Sequence, residues 1–394
     1  MRILTRYVLS EMVKVFLVSL IGITLIIVLF GLVVQAVNQG LGPKQIVLLI
    51  PYILPDAMRY SVPATMLLAA CSVFGRLAAG NEVVAVKASG ISPMVLIWPA
   101  LALALLVSWV AVWLNDIAVS WGRDGIARVV IESVEEIAYG RLQQQGSFES
   151  KQFLIQVKDV EGRRLIRPRI IFKNTDDSPA RMIDCDEAEM RSDLVEGTLK
   201  IICRNSEMSM GDWKTIDSGT REFEVPLDDS GRKGGGNRRP DDLPMYVMPQ
   251  ERAAQQARID ALAQQMGANA ADQMISGDFA KLLSPSWKND ERQLLDARQR
   301  LYKLYMEPCR RWANGFSCLC FVIVGAPLAI RMRNTDLMTS FIMCFLPILL
   351  VYYPLLMFGT SQAKNGSFPS WGVWAGNILL VVIGWRLTRH VCRY

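Results

Sequence analysis

Apolar residues fall in six long runs separated by short polar joints and one long polar stretch. The runs are Phe16–Val37, Ile46–Phe74, Pro93–Leu114, Trp312–Ile330, Leu337–Phe358 and Trp371–Leu387. Each is close to the ~20 residues a helix needs to cross a bilayer, so they predict six transmembrane helices. The first run is too long for a signal-peptide core and lacks a small-x-small cleavage site after it, so it reads as an uncleaved span. Ahead of it, Ile3, Leu4, Tyr7, Val8 and Met12 recur at helical spacing with Arg2, Arg6 and Lys14 between them. That pattern predicts an interfacial helix over 1–14.

The long polar stretch changes period. Phe153–Val157, Leu165–Phe172, Thr198–Cys203 and Glu222–Leu227 are short and rich in β-branched or aromatic residues. Glu161-Gly162, Asn174–Ser178, Glu196-Gly197 and Ser218-Gly219 supply turn signals between them. Short strands at this spacing predict an antiparallel sandwich or jelly roll. Asp228–Pro244 is low in complexity and reads as a mobile, solvated linker. Gln250–Met266 and Glu291–Tyr305 predict two helices, the second leading towards the fourth span. The expected fold is an α-helical membrane protein of six transmembrane helices, arranged 3+3 around an inserted periplasmic antiparallel β jelly-roll domain. Its parts are 1–121 with the first three spans, 122–245 as the β domain and linker, 246–305 as a helical connector, and 306–394 with the last three spans.

Charge sharpens this division. The formal net charge of +6 conceals two regions. Residues 122–305 hold 28 Lys+Arg and 31 Asp+Glu, whereas the other 210 residues hold 15 Lys+Arg and only 6 Asp+Glu. The basic excess therefore belongs to the apolar part, which argues against nucleic-acid binding. A hydrophobic share of 51% with a mean hydropathy of +0.23 excludes a soluble enzyme and a disordered chain. With the N-terminus inside, the short cytoplasmic segments carry ten basic residues, namely Arg2, Arg6, Lys14, Arg76, Lys87, Arg331, Arg333, Arg386, Arg389 and Arg393. The outer side carries four, Lys44, Arg310, Arg311 and Lys364. The positive-inside rule then puts both termini in the cytoplasm, and the alternation of spans rather than the rule itself puts residues 115–305 outside, which in a bacterial inner membrane is the periplasm.

Catalytic chemistry has little to work with. The single histidine is His390, near the C-terminus, and no phosphate loop, HExxH or GxSxG motif is present. No metal site or bound cofactor is expected, so an ATP-driven function must borrow its ATPase. Asp184, Asp186, Glu187 and Glu189 read as an acidic turn rather than a catalytic pair. Six of the eight cysteines lie in or beside apolar segments. Cys185 and Cys203 lie in the polar domain, where a disulfide and two free thiols are both open readings.

Two places carry candidate binding residues. The loop from Gly75 to Ser92 has helix punctuation: Asn81 suits an N-cap, Glu82 the positive end of the helix dipole, and Gly90 a C-terminal stop. Val83, Val84 and Val86 make it apolar, so it reads either as a docking helix for a partner or as an interfacial helix touching lipid. In the second span Asp56 and Arg59 share a helix face, and Pro51, Pro55 and Pro63 bend that helix. Arg59 either pairs with Asp56 or faces a substrate. Lys44, Arg310 and Arg311 lie just outside spans and either anchor head groups or ring an outer-leaflet cavity that holds phosphates. Arg163, Arg164, Arg167 and Arg169 read as a solvated strand face.

These residues resemble the lipopolysaccharide export permeases of the LptF/LptG type. The likeness lies in Gly75-Arg-Leu-Ala, Asn81-Glu82 and Ala88-Ser-Gly-Ile-Ser92, with Pro55 and Pro63 before them. It continues in Glu307-Pro-Cys-Arg-Arg-Trp-Ala, Gly325-Ala-Pro-Leu-Ala-Ile330, Tyr352-Tyr353, and Phe368-Pro-Ser-Trp with Asn377. The resemblance implies a permease paired with a paralogous or identical subunit and two copies of a cytoplasmic ABC ATPase. It implies a coupling helix at about 75–92, where Glu82 makes the polar contact with the ATPase and Asn81, Arg76 and Gly90 are further ATPase-coupling residues. It also implies that lipopolysaccharide, or a related anionic glycolipid, enters between spans one and five. The lipid then passes through the jelly roll to periplasmic bridge proteins of similar fold. Two rival classes are a non-transporting envelope scaffold with a sensing domain and an intramembrane lipid-modifying enzyme. The kinked, charged second span weighs against the first, and the lack of convergent His, Asp or Ser against the second.

Overall fold

A computed structural model describes residues 2–39, 43–123, 125–126, 129, 138–143, 146–149, 153–172, 181–193, 198–210, 213–226, 239–277, 285–332 and 337–393. The protein is mostly helical, with one curled antiparallel sheet. It divides into two compact units, one of 1–30, 53–122 and 240–394, the other of 31–52 and 123–239.

Six helices are long and apolar enough to cross a membrane, at the six places the apolar runs predict. Helix α1 is Arg2–Gln39, α2 Pro43–Ala79, α3 Glu82–Ala88 and α4 Met94–Ile117. Then come α5 (Met248–Ile275) and α6 (Pro285–Arg331). The fifth span is α7 (Leu337–Pro347), a π-helical stretch Ile348–Tyr352 and α8 (Tyr353–Lys364), and the sixth ends in α9 (Ala375–Arg393).

Two expected boundaries vanish. The segment expected to lie along the membrane surface is continuous with the first span in α1, and its Val8 and Met12 are fully buried in the core of the helical unit. The rest of that face is mixed, with Leu4 packed against the same core and Ile3 and Tyr7 exposed. Likewise the helix expected at Glu291–Tyr305 and the fourth span are one 47-residue helix, α6, which runs through Pro308 and Pro327. A proline inside a helix leaves the carbonyl four residues earlier without its backbone donor. At Pro308 that carbonyl is Leu304, and Arg252 of α5 donates two bonds to it, at 3.2 and 3.0 Å. At Pro327 it is Ile323, against which Gly384 of α9 is packed so closely that a Cβ would lie 2.8 Å from the oxygen. Both prolines are thus accommodated by a neighbouring helix.

The helical unit is held by such close approaches and a few buried polar bonds. Gly315 of α6 meets Val112 of α4, and Leu319 N–H donates to Ser108 Oγ at 3.2 Å. Asn377 of α9 donates to the Ala313 carbonyl at 2.8 Å, and Thr24 and Ser61 bond across α1 and α2 at 2.8 Å. Small residues let helix backbones approach, and a polar bond in an apolar setting fixes their register.

In the second unit, β6 (Arg181–Asp193), β7 (Thr198–Met210) and β8 (Trp213–Pro226) form a long antiparallel meander. The other side of β6 pairs first with β5 (Arg169–Phe172) and then with β4 (Arg164–Ile166). The short strands β1 (Ser147–Glu149) and β2 (Phe153–Gln156) continue from β5, and β3 (Asp159–Glu161) continues from β4. A helical turn at 138–143 packs Ala138 and Leu142 into the sheet's apolar core. Tyr139 pins it, donating to the Arg163 carbonyl at 2.7 Å and accepting from Met190 N–H at 3.0 Å.

Several expectations for this unit need correction. The acidic turn is a strand: Ile183, Cys185, Ala188 and Met190 face the core while the carboxylates face out. Ser218-Gly219 is no turn but lies within β8, where the register shifts. The run expected as one strand at Leu165–Phe172 breaks at Arg167-Pro168, because proline has no N–H for the ladder. The expected linker splits: 228–238 lies outside the described residues, but Pro240, Leu243 and Pro244 are buried. The turn signals Asn174–Ser178 and Glu196-Gly197 also lie outside the described residues.

Candidate functional site

The apolar portion contains only six acids, and the five described ones organise its chemistry. Four hold arginines: Glu11 with Arg76 at 2.6 Å, Asp56 with Arg59 at 3.3 Å, Asp116 with Arg311 at 2.9 Å, and Glu307 with Arg310. Glu82 is the only one of the five without an ion pair among the described residues.

Glu82 opens the seven-residue α3 and is exposed. The turn before it is made by Gly80 N–H to Arg76 O and Asn81 N–H to Ala78 O. Asn81 occupies the expected N-cap position, but with φ 56° and no side-chain cap bond. Its role is to turn the chain in the left-handed region, which Asn tolerates better than most residues. The far end behaves as expected. Gly90, at φ 77°, donates to Lys87 O, and Ile91 N–H reaches back to Val86 O, the two bonds of a Schellman stop. Val83 is buried in the helical core and Val86 packs against it, leaving Val84 exposed beside Glu82. So most of the apolar face of α3 is consumed by its own protein, which fixes the helix and sets how Glu82 projects. Arg76 sits at this corner, bound to Glu11 of α1 and within electrostatic reach of Glu82.

The remaining arginines gather about α2, α4 and α6. Arg59 meets Asp56 without hydrogen-bond geometry, donates to Tyr60 Oη at 2.5 Å and lies 4.7 Å from the centre of that ring. Tyr60 is in turn within electrostatic reach of Arg310, so the second and fourth spans bring Arg59 and Arg310 into one neighbourhood. Arg310 forks onto Glu307, which is completely buried. Arg311 is 2% exposed. It donates to Asp116 Oδ1 at 2.9 Å and to the carbonyls of Leu243 at 2.8 Å and Asp241 at 3.3 Å. Asp116 also accepts from Met245 N–H at 2.9 Å. Arg311 therefore joins α4, α6 and the 241–245 segment. Lys44 falls in the first turn of α2, and its side chain lies outside the described residues.

Sequence reasoning gave no role to Asp116, Glu307, Tyr60 or Glu11. For the three acids the signal was rarity, since a carboxylate in an apolar run is costly unless a cation meets it, whereas Tyr60 carried none.

The family model for the lipopolysaccharide export system permease LptF/LptG matches residues 6–390. The chain belongs to that family. A comparison with curated proteins returned no match. Family membership makes the chain a transport permease for lipopolysaccharide, not itself an enzyme, and with the six apolar helices it marks a multi-pass inner-membrane protein.

Proposed function

We propose that this chain is the permease subunit of an ATP-driven transporter that extracts lipopolysaccharide from the inner membrane and passes it to a periplasmic bridge towards the outer membrane. Hydrolysis is supplied by a separate cytoplasmic ABC ATPase, and the membrane unit pairs with a paralogous or identical permease. In this reading both termini are cytoplasmic, three spans precede the periplasmic domain and three follow it, and the curled sheet acts as a jelly roll receiving acyl chains.

The observation that carries the coupling role is Glu82. Four of the five described acids in the apolar part are spent on arginines, and this one is exposed on a helix fixed at both ends. A rigid helix with an outward carboxylate transmits a push, because its Val83 is buried in the core of the helical unit and Val86 packs against it. Burial of the spans supports lateral entry and pairing. The apolar windows of the first and fifth spans are 17% buried, against 67% for the second and fourth. Helices so sparsely covered leave faces for lipid or a second permease. Of the candidate substrate residues, Arg59 is best suited to an anionic head group. It already shares Asp56 and Tyr60, so a phosphate exchanges one partner for another. Arg310 is the second candidate and Lys44 a third. Arg311 has its interactions committed inside the protein.

The test is extraction of the full chain in a mild detergent. A permease brings an ATPase and bound phosphorylated glycolipid with it, and reconstituted vesicles then release the lipid to an acceptor only with ATP. Isolation without either partner, as a scaffold would give, refutes the proposal.

A further inference from the structure

The pleat of the sheet breaks along one line. In a regular strand inward residues recur every two positions. Here the buried positions step by three in adjoining strands, from Leu165 to Pro168, from Cys185 to Ala188 and from Cys203 to Ser206. Arg167 at φ 47° and Asn205 at φ 50° are left-handed on this line, and β8 sets two residues, Ser218 and Gly219, against the single Asn205 of β7. The backbone is still paired across it: Arg167 N–H donates to Asp186 O, and Cys185 N–H to Pro168 O. The line is a crease that curls the sheet around its core.

The crease alters which side chains meet. Cys185 is opposite Ser206 and Cys203 opposite Ala188, an offset that would separate them on a flat sheet. Instead both point into the same core, and the Cys185 thiol is in hydrogen-bonding reach of Cys203. Both are free thiols. Cys185 also lines a hollow of about 420 Å³ whose wall includes Arg167, Asp184, Asp186 and Asn205, so the pair is open to approach at Cys185 while Cys203 lies inside the core.

We propose that Cys185 and Cys203 form a disulfide across the crease, joining β6 to β7. The proposal rests on the placement of this domain outside the cytoplasm, where disulfide donors persist. The Cys185 thiolate attacks one sulfur of a donor disulfide, and the other donor sulfur leaves as a thiolate. The Cys203 thiolate then attacks Cys185 Sγ and expels the second donor thiolate. Two protein thiols lose two protons and two electrons, and the donor disulfide becomes two thiols. The Cys203 contact and burial push the Cys185 thiol above its ordinary range, so oxidation accelerates as pH rises.

The experiment uses the full chain in its native membranes, quenched in acid, alkylated and digested without reductant. A linked peptide carrying Cys185 and Cys203, absent from Cys185→Ser and Cys203→Ser, is the expected result. Recovery of both peptides alkylated overturns the proposal. A separate arm places a cysteine at exposed Glu161 (Glu161→Cys) and labels spheroplasts with a membrane-impermeant maleimide. Labelling above the parent protein supports the external placement, and its absence overturns that placement and the native disulfide with it. The thiol geometry is then judged alone, by treating the detergent-solubilised chain with oxidised glutathione. A linked peptide there supports the geometry, and none overturns it.

Discussion

Replacing Arg311 with methionine tests whether this arginine holds the helical unit together or waits for a lipid phosphate. Met keeps most of the volume and removes the charge and its three hydrogen bonds, to Asp116, Leu243 and Asp241. Breaking a buried pair from one side typically costs 3–5 kcal/mol, because the other charge is left behind. Asp116 is 26% exposed and keeps its bond from Met245 N–H, so it relaxes partly towards solvent. The lower end, about 3 kcal/mol, is therefore expected. Asp116→Asn alone strands a 2%-exposed guanidinium and costs a similar amount. The double variant leaves neither charge unpaired, so its loss falls short of the sum by roughly 1–3 kcal/mol. The assay is reversible unfolding of the full chain in mixed micelles for parent, both single variants and the double. Strict additivity, or an Arg311→Met protein as stable as the parent that has lost only lipid, refutes the structural assignment.

Glu82→Ala leaves the fold intact, since its side chain is exposed, and weakens ATPase retention by about 2 kcal/mol, roughly thirtyfold, read from co-purification against unchanged thermal stability. Unchanged retention removes Glu82 from the coupling contact. Arg252→Ala uncovers the Leu304 carbonyl freed by Pro308 and costs about 1–3 kcal/mol, with faster hydrogen exchange in α5 as the local signature. Gly384→Val drives a branched side chain into the Ile323 carbonyl, where even a Cβ lies at 2.8 Å, so the sixth span separates from the fourth and detergent stability collapses. Tyr139→Phe leaves Met190 N–H and Arg163 O short of a partner and lowers the stability of the sheet unit by about 1–3 kcal/mol.

Much was legible in the chain because it is governed by local composition. An apolar run of some twenty residues needs no knowledge of its neighbours to be a helix in a membrane, so all six candidate spans were readable. Gly90 was readable for the same reason: a left-handed stop is a property of one residue and its two flanking bonds. What misled was local pattern where neighbours override it. Asn81 has the composition of a side-chain cap, yet the preceding turn spends it on backbone reversal. The carboxylates of β6 hid a strand whose inward set changes parity at the crease, and a strict period of two cannot find that. Ser218-Gly219 signals a turn, and the register of β7 converts it into a bulge.

By itself, then, the sequence determined that this chain lives in a membrane, where its helices lie and which short segments carry the positive charge. Hydrophobic length and charge bias act through the solvent, and solvent is the same for every fold. Only the tertiary structure decided how those charges are spent. Arg310 and Arg311 look alike as adjacent basic residues beside an apolar run, but Arg310 forks onto Glu307 of its own helix whereas Arg311 is bound across α4, α6 and the 241–245 segment, residues far apart in the chain. Partnership depends on distance in space, and no periodicity encodes it. The same holds for Glu82, one of six acids in the apolar part of the sequence and, among the five described ones, the one left facing outward without an ion pair.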